Sequence, residues 1–155
     1  MENKIISYLT FRIGPETFAA NVENIQNIIE YPIITKVPEM PLFIIGITNL
    51  RGQVLPVVDS RIKLSMPATQ ITSNTCIIVM ELIIDDMETK AGILVDEVYE
   101  VLEIEEKDIK EPPSLGLKFK AEIITGVFHA GDKFVMLLDI HKVVALEEIT
   151  GIQES

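Results

Sequence analysis

Short apolar runs separated by turn-forming residues recur along the whole chain, and most of these runs are rich in β-branched residues. Runs of this kind, bounded by Gly, Pro, Asn or Asp, are typical of β-strands. Four candidate hairpins follow from the pattern: 5–13 with the run that Thr17 opens, 45–48 with 54–58, 76–80 with 91–95, and 123–128 with 134–138. Strands at a spacing of about ten residues predict an all-β barrel or sandwich.

Helical signals are few. Asp139 is a candidate N-cap for a C-terminal helix at about 139–148, and Asp59 is a candidate cap for a shorter helical turn that ends at Leu64. Two segments without periodicity are predicted to be surface loops: 65–74 and 110–120.

The chain also repeats itself. Gly46 and Gly126 are 80 residues apart, as are Asp59 and Asp139, and residues 22–30 resemble residues 95–103 at an offset of 73. Two matching blocks in the same order predict a single domain over 1–155 made of two related β subdomains. Their predicted bounds are about 8–65 and about 76–138, with the C-terminal helix after them. Because the linker is neither long nor flexible, we expect the two subdomains to share a core.

Charge and composition reduce the number of functions that this chain is expected to have. The 155 residues include 13 Lys and Arg against 24 Asp and Glu, a formal net charge of −11. Nucleic acid and anionic membranes require clustered cations, so neither is expected as a main partner. No apolar run approaches the roughly 20 residues of a membrane span, and no leader pattern is visible at the N-terminus. With Cys76 as its single cysteine, the chain is expected to be a soluble intracellular domain without disulfides or membrane insertion.

The sequence contains no motif of a catalytic, metal or phosphate site. It has no Gly-x-Ser-x-Gly elbow, Cys-x-x-Cys pair or Gly-x-Gly loop. Cys76 lies in a strand-like run and is interpreted as a buried thiol. His129 falls in a predicted turn and His141 in the last helix. We therefore expect neither catalysis nor a cofactor, although an enzyme with dispersed residues is kept as an alternative.

Arg51 stands out at the tip of a predicted hairpin. A guanidinium there can tether two elements of the fold, contact a partner, or do little in a solvated turn. The matched segments also present apolar residues at similar places in the two halves: Ile25, Ile28 and Ile29, and Val98, Val101 and Leu102. A groove between the halves that displays some of these residues can bind a helix.

A long and specific motif occupies residues 43–59, which read FIIGITNLRGQVLPVVD. This motif closely resembles the CheW family of chemotaxis coupling proteins. Further matches lie at 8–11, 31–38, 92–98, 112–113, 124–126 and 137–139. The resemblance covers essentially residues 5–147.

The resemblance implies two five-stranded, Src-homology-3-like β-barrels around a joint core. It also implies an adaptor without catalysis, cytoplasmic and recruited to membrane chemoreceptor arrays. Its expected partners are the cytoplasmic tips of chemoreceptors and the regulatory domain of the CheA histidine kinase. An adaptor of the same family that serves a non-flagellar array is the alternative.

The resemblance also implies residue roles. The receptor-facing candidates are Ile25, Ile29, Leu50, Arg51, Val98 and Val101. Residues expected to hold backbone geometry in the motif and its repeat are Gly46, Asn49, Gly52 and Gly126. The family often has Glu where this chain has Asn27, which leaves Glu23 or Glu30 as the candidate partner of Arg51 within the chain. No motif identifies the residues that contact the kinase.

Overall fold

The structure is a computed structural model, and it describes residues 4–64, 66–67, 70–112 and 123–144. Ten strands account for most of this part: β1 (Ile5–Ile13), β2 (Glu16–Asn21), β3 (Ile25–Glu30), β4 (Ile44–Leu50), β5 (Gln53–Asp59), β6 (Cys76–Ile84), β7 (Met87–Val95), β8 (Glu97–Glu105), β9 (Ile124–Ala130) and β10 (Lys133–Leu138). Two short helices, α1 (Ser60–Lys63) and α2 (Ile140–Val144), follow β5 and β10. The predicted all-β class is confirmed.

The strands form two five-stranded units. The first barrel has the strand order β8-β1-β2-β10-β9, and the second barrel has the order β3-β6-β7-β5-β4. Each contains one parallel pairing, β2 with β10 and β5 with β7, among antiparallel neighbours. Each barrel therefore combines a hairpin from one half of the sequence with three strands from the other half.

This exchange means that the barrels do not coincide with the segments 8–65 and 76–138 expected from the repeat. Hairpin β1–β2 pairs with β8 and β10, while hairpin β6–β7 pairs with β3 and β5. Local pattern identifies the strands and their repetition. The sheet that a hairpin joins is decided by pairings such as Phe18 with Met136, which are remote in sequence.

The repeat itself is visible in matched backbone contacts. The amide of Asp59 donates to the carbonyl of Phe43, and the amide of Asp139 donates to that of Ile123, both at 2.7 Å. Both aspartates cap the helix that follows: the Asp59 carboxylate accepts from the Arg61 amide at 3.0 Å, and that of Asp139 accepts from the Lys142 amide at 3.3 Å. The predicted helix residues 145–148 lie outside the described residues.

Three apolar clusters hold the described part of the chain together. One is confined to the first barrel around Phe128 and one to the second barrel around Leu55. The largest cluster lies between them and draws fully buried side chains such as Phe11 from the first barrel and Met80 from the second. The two barrels therefore share a core, as predicted.

Candidate functional site

Hairpin β4–β5 carries the motif arginine at its tip. Leu50 pairs with Gln53, which leaves Arg51 and Gly52 as the two loop residues. Their φ angles are 51° and 84°, the signature of a type I′ turn, in which both central residues adopt left-handed backbone. The side chain of Asn49 accepts a hydrogen bond from the Gly52 amide at 2.8 Å and closes the turn. Arg51 therefore adopts a conformation that costs a non-glycine residue roughly 1–2 kcal/mol.

The Arg51 side chain is exposed and forms no ion pair within the described part of the chain. Neither Glu23 nor Glu30 is its partner there. The Asn27 side chain accepts from the amide of Ile28 at 2.9 Å. Among the described residues, therefore, nothing shows a tether through Arg51. The residue lines a cavity of about 320 Å³ beside the tip of hairpin β4–β5.

The apolar residues predicted to contact the receptor lie in three environments: the core of the second barrel, the joint core, and the exposed surface. Ile29 and Leu50 pack against the core of the second barrel. Ile25 and Val98 are half-buried against the joint core, and they pair with the buried residues Met80 and Phe11.

Val101 differs from these four because its surface is 54% exposed on β8. Its register partner is Leu9, whereas the equivalent residue of the second barrel, Ile28, pairs with Ile78 and is 41% exposed. Ile25 with Ile28 and Val98 with Val101 are thus two matched apolar pairs, one on each barrel.

The junction between the barrels contains a buried carboxylate. Asp96 lies between β7 of the second barrel and β8 of the first, and only 4% of its surface is exposed. Its Oδ2 atom accepts from the Gly14 amide at 2.6 Å and from Arg61 Nε at 2.9 Å. Gly14 belongs to the β1–β2 turn and Arg61 to α1, so one side chain links elements of both barrels. Such a network holds the orientation of the two barrels and the surface between them.

Gly46 and Gly126 allow a second segment to approach β4 and β9. Thr35 exchanges two backbone hydrogen bonds with Ile47 at 2.8 Å, and Lys110 exchanges two with Val127 at 2.8 and 2.9 Å. At Gly46, φ is 150° and a Cβ atom would collide with the carbonyl oxygen of Thr35. At Gly126 a Cβ atom would lie 2.8 Å from the Ile109 side chain.

Two further surfaces were not among the predicted site residues. A groove of about 460 Å³ lies between residues 32–35 and hairpin β4–β5, where Ile33 is 90% exposed and Val54 is 69% exposed. A second cavity of about 460 Å³ lies beside the tip of hairpin β9–β10, with Tyr99, Leu102 and Lys133 in its walls. A period-two pattern in the sequence signals one exposed face for Val54 and Tyr99, but it does not show that either face borders a cavity.

The described residues show little reactive chemistry. In that part of the chain no three His, Cys, Asp or Glu side chains are grouped to hold a metal ion. Cys76 is half-buried, and this burial, together with the nearby carboxylates Glu30 and Glu97, raises the pKa of its thiol, which stays protonated and weakly nucleophilic. The His129 ring contacts the Phe134 ring at a tilt of 43°, with ring centroids 4.1 Å apart. No helix within the described ranges is long and apolar enough to cross a bilayer.

Comparison with known proteins shows which family and which proteins this chain is similar to. The sequence profile of the family described as "CheW-like domain" matches residues 7–148. The chain is 31% identical over 142 residues to the chemotaxis protein CheW of Klebsiella aerogenes, covering 92% of this chain and 83% of that protein. It is 31% identical over 150 residues to CheW of Thermotoga maritima, covering 95% and 91%. The crystal structure of the scaffolding protein TtCheW from Thermoanaerobacter tengcongensis superposes with a TM-score of 0.80 at 28% identity, covering 92% of this chain and 89% of that one.

Proposed function

The chain belongs to the CheW family, and on that premise we propose that it couples the cytoplasmic tips of chemoreceptors to a CheA-type histidine kinase. In this proposal it is a chemotaxis scaffold that performs no catalysis. It works in the cytoplasm, where the receptor array recruits it. A coupling protein needs separate surfaces on one stiff body, each with an apolar centre and a polar rim.

The observation that carries the proposal is the pair of matched apolar sites on two barrels that share one core. Ile25 and Val98 are half-buried against the joint core, and Ile28 and Val101 extend each site to the surface. A receptor tip is helical in this family, and an amphipathic helix binds through apolar anchors in a groove. The fixed junction at Asp96 keeps the two sites in one relative position.

We assign the receptor contact to six side chains: Ile25, Ile29, Leu50, Arg51, Val98 and Val101. Val101 and Arg51 are exposed, so a partner reaches them without any rearrangement. Val98 packs against the joint core, so a charged residue in its place endangers the fold as well as the contact. Val101 is therefore the better position for a test.

The test measures binding of a receptor tip fragment, and separately of the kinase regulatory domain, by titration calorimetry. Both partners come from the cell that makes this protein. Wild-type protein should bind each partner with a negative heat-capacity change, the mark of apolar burial. Val101→Asp should weaken receptor binding by about tenfold, because a carboxylate is then desolvated at the contact.

The matched control is Ile83→Asp, at a position that is 67% exposed on the β6–β7 hairpin. It should leave receptor binding unchanged. Wild-type protein that binds neither partner would contradict the coupling function. Equal losses in both variants would contradict the placement of the contact at Val101.

A further inference from the structure

The cavity beside Arg51 is cationic in a chain that is strongly acidic. Its walls are Gln26, Asn27, Leu50, Arg51, Gln53 and Lys90, contributed by β3, by the tip of hairpin β4–β5 and by β7. Two of these six side chains are cations and none is a carboxylate, although the whole chain has a formal net charge of −11. The cavity thus concentrates positive charge that its described wall residues do not neutralise.

The neutral polar groups around the cavity are already engaged. Gln53 Oε1 accepts from Lys90 Nζ at 3.2 Å, and Gln26 Nε2 donates to Glu81 Oε2 at 3.1 Å. Lys90 therefore has an amide oxygen as its neighbour, where a carboxylate would be the stronger partner.

Glu81 is the nearest acidic residue in strand register, since it pairs with Lys90 between β6 and β7. Within the described residues it forms no ion pair with Lys90 or with Arg51. Glu81 does not line the cavity, so the two cations are left to face an incoming group.

We propose that this cavity receives the carboxylate of an Asp or Glu side chain from the docked protein partner. The planar guanidinium of Arg51 offers paired N–H donors that match a carboxylate, and the Lys90 ammonium adds a second charge-assisted donor. Leu50 forms an apolar wall, against which the methylene groups of an acidic side chain pack. The proposal rests on the proposed function, because the partner is the chemoreceptor tip, and it adds the chemistry by which that tip is recognised.

The experiment compares Arg51→Gln and Lys90→Gln with the control Lys133→Gln. All three substitutions remove one positive charge, but Lys133 lines the equivalent cavity of the first barrel. Binding of the receptor tip fragment is measured at low and at high salt. Each cavity variant should bind about five- to tenfold more weakly and show a smaller salt dependence, whereas the control should match wild type. Losses of equal size in all three would show a net-charge effect and overturn the proposal.

A second readout does not need the receptor. Acetate and, separately, phosphate are added up to about 0.1 M while the Arg51 Nε–H resonance is followed by NMR, because a weak anion site saturates in this range. A saturable shift with acetate that is lost in Lys90→Gln supports a carboxylate site. The absence of an acetate shift, or a response to phosphate alone, overturns the proposal.

Receptor binding and the acetate titration together distinguish a failure of the coupling function from a failure of the carboxylate site. A wild-type protein that responds to acetate but binds no receptor fragment would contradict the proposed function and also the assignment of the carboxylate to that partner. Receptor binding that is intact in wild type and unchanged in both cavity variants would overturn the carboxylate site and leave the coupling function standing.

Discussion

The tips of hairpins β4–β5 and β9–β10 occupy equivalent places in the two barrels, yet their side chains differ in kind. Arg51 in the second barrel has φ 51°, and its counterpart 80 residues later, Gly131, has φ 64°. Glycine adopts this backbone without strain, whereas arginine does so at an energetic cost. The backbone at Arg51 therefore has a conformational cost that its counterpart in the first barrel lacks.

The cavities beside these two tips differ in the charge of the side chains that line them. The second barrel presents Arg51 and Lys90 with no acid among the described wall residues, while the first barrel combines Tyr99 and Leu102 with one residue of each charge, Glu100 and Lys133. The backbone framework is repeated, but the side chains beside the two hairpin tips differ. The comparison shows that one repeated scaffold presents two chemically distinct surfaces.

The largest expected change in stability tests the backbone arrangement that the two barrels share. Gly46→Ala should lower the free energy of unfolding by more than about 3 kcal/mol, since its left-handed φ and the carbonyl of Thr35 both exclude a Cβ atom. Gly126→Ala, the equivalent change in the first barrel, should cost about 1–2 kcal/mol, because φ is ordinary there and the nearest backbone atom, the Lys110 carbonyl oxygen, is 3.2 Å from the Cβ position. Urea denaturation measures both. Equal losses of stability would mean that the segment at Thr35 packs on Gly46 no more tightly than the segment at Lys110 packs on Gly126.

The second largest expected change in stability concerns Asp96 at the junction between the barrels. Asp96→Ala should destabilise the protein by about 2–3 kcal/mol, because it leaves Arg61 and the Gly14 amide without their buried acceptor. The equivalent position in the first repeat is Glu23, which is exposed. Glu23→Ala should change stability by less than about 0.5 kcal/mol. Thermal unfolding of the two variants provides the comparison, and a minor loss for Asp96→Ala would remove it as the link between the barrels.

The smallest effect tests the strain at the tips directly. Arg51→Gly should raise the free energy of unfolding by about 0.5–1 kcal/mol while it weakens receptor binding, because it removes both the strain and the guanidinium. Gly131→Ala should lower the free energy of unfolding by about 1 kcal/mol, since it introduces the same strain in the first barrel. Chemical denaturation together with binding calorimetry measures both quantities. A destabilised Arg51→Gly variant would assign Arg51 a structural role.

Much of the fold could be predicted from local signals. Gly14-Pro15 marks the turn of hairpin β1–β2, and the two capping aspartates mark the starts of α1 and α2. The 80-residue offset between Asp59 and Asp139 also reveals the repeat from the sequence alone. Each of these features depends on backbone preferences or side-chain hydrogen bonds over a few residues, and a sequence records such short-range effects directly.

The candidate site was only partly predictable. The motif indicates Arg51 as a candidate contact, but no local signal distinguishes the half-buried Val98 from the exposed Val101 three residues later. Lys90 and Gln26 reach the Arg51 cavity from other strands, so their part in it depends on how β3, β5 and β7 are arranged.

Strands, turns, the internal repeat and family membership could all be inferred from the order of residues along the chain. The exchange of hairpins β1–β2 and β6–β7 between the barrels became visible only in the folded molecule, through the β2–β10 and β5–β7 pairings. The same holds for Asp96 as the link at the junction and for the two cations that converge on one cavity. The physical reason is range: strand propensity and turn chemistry act between neighbours, while strand pairing and shared burial depend on residues that are far apart in the chain and meet only in the folded core.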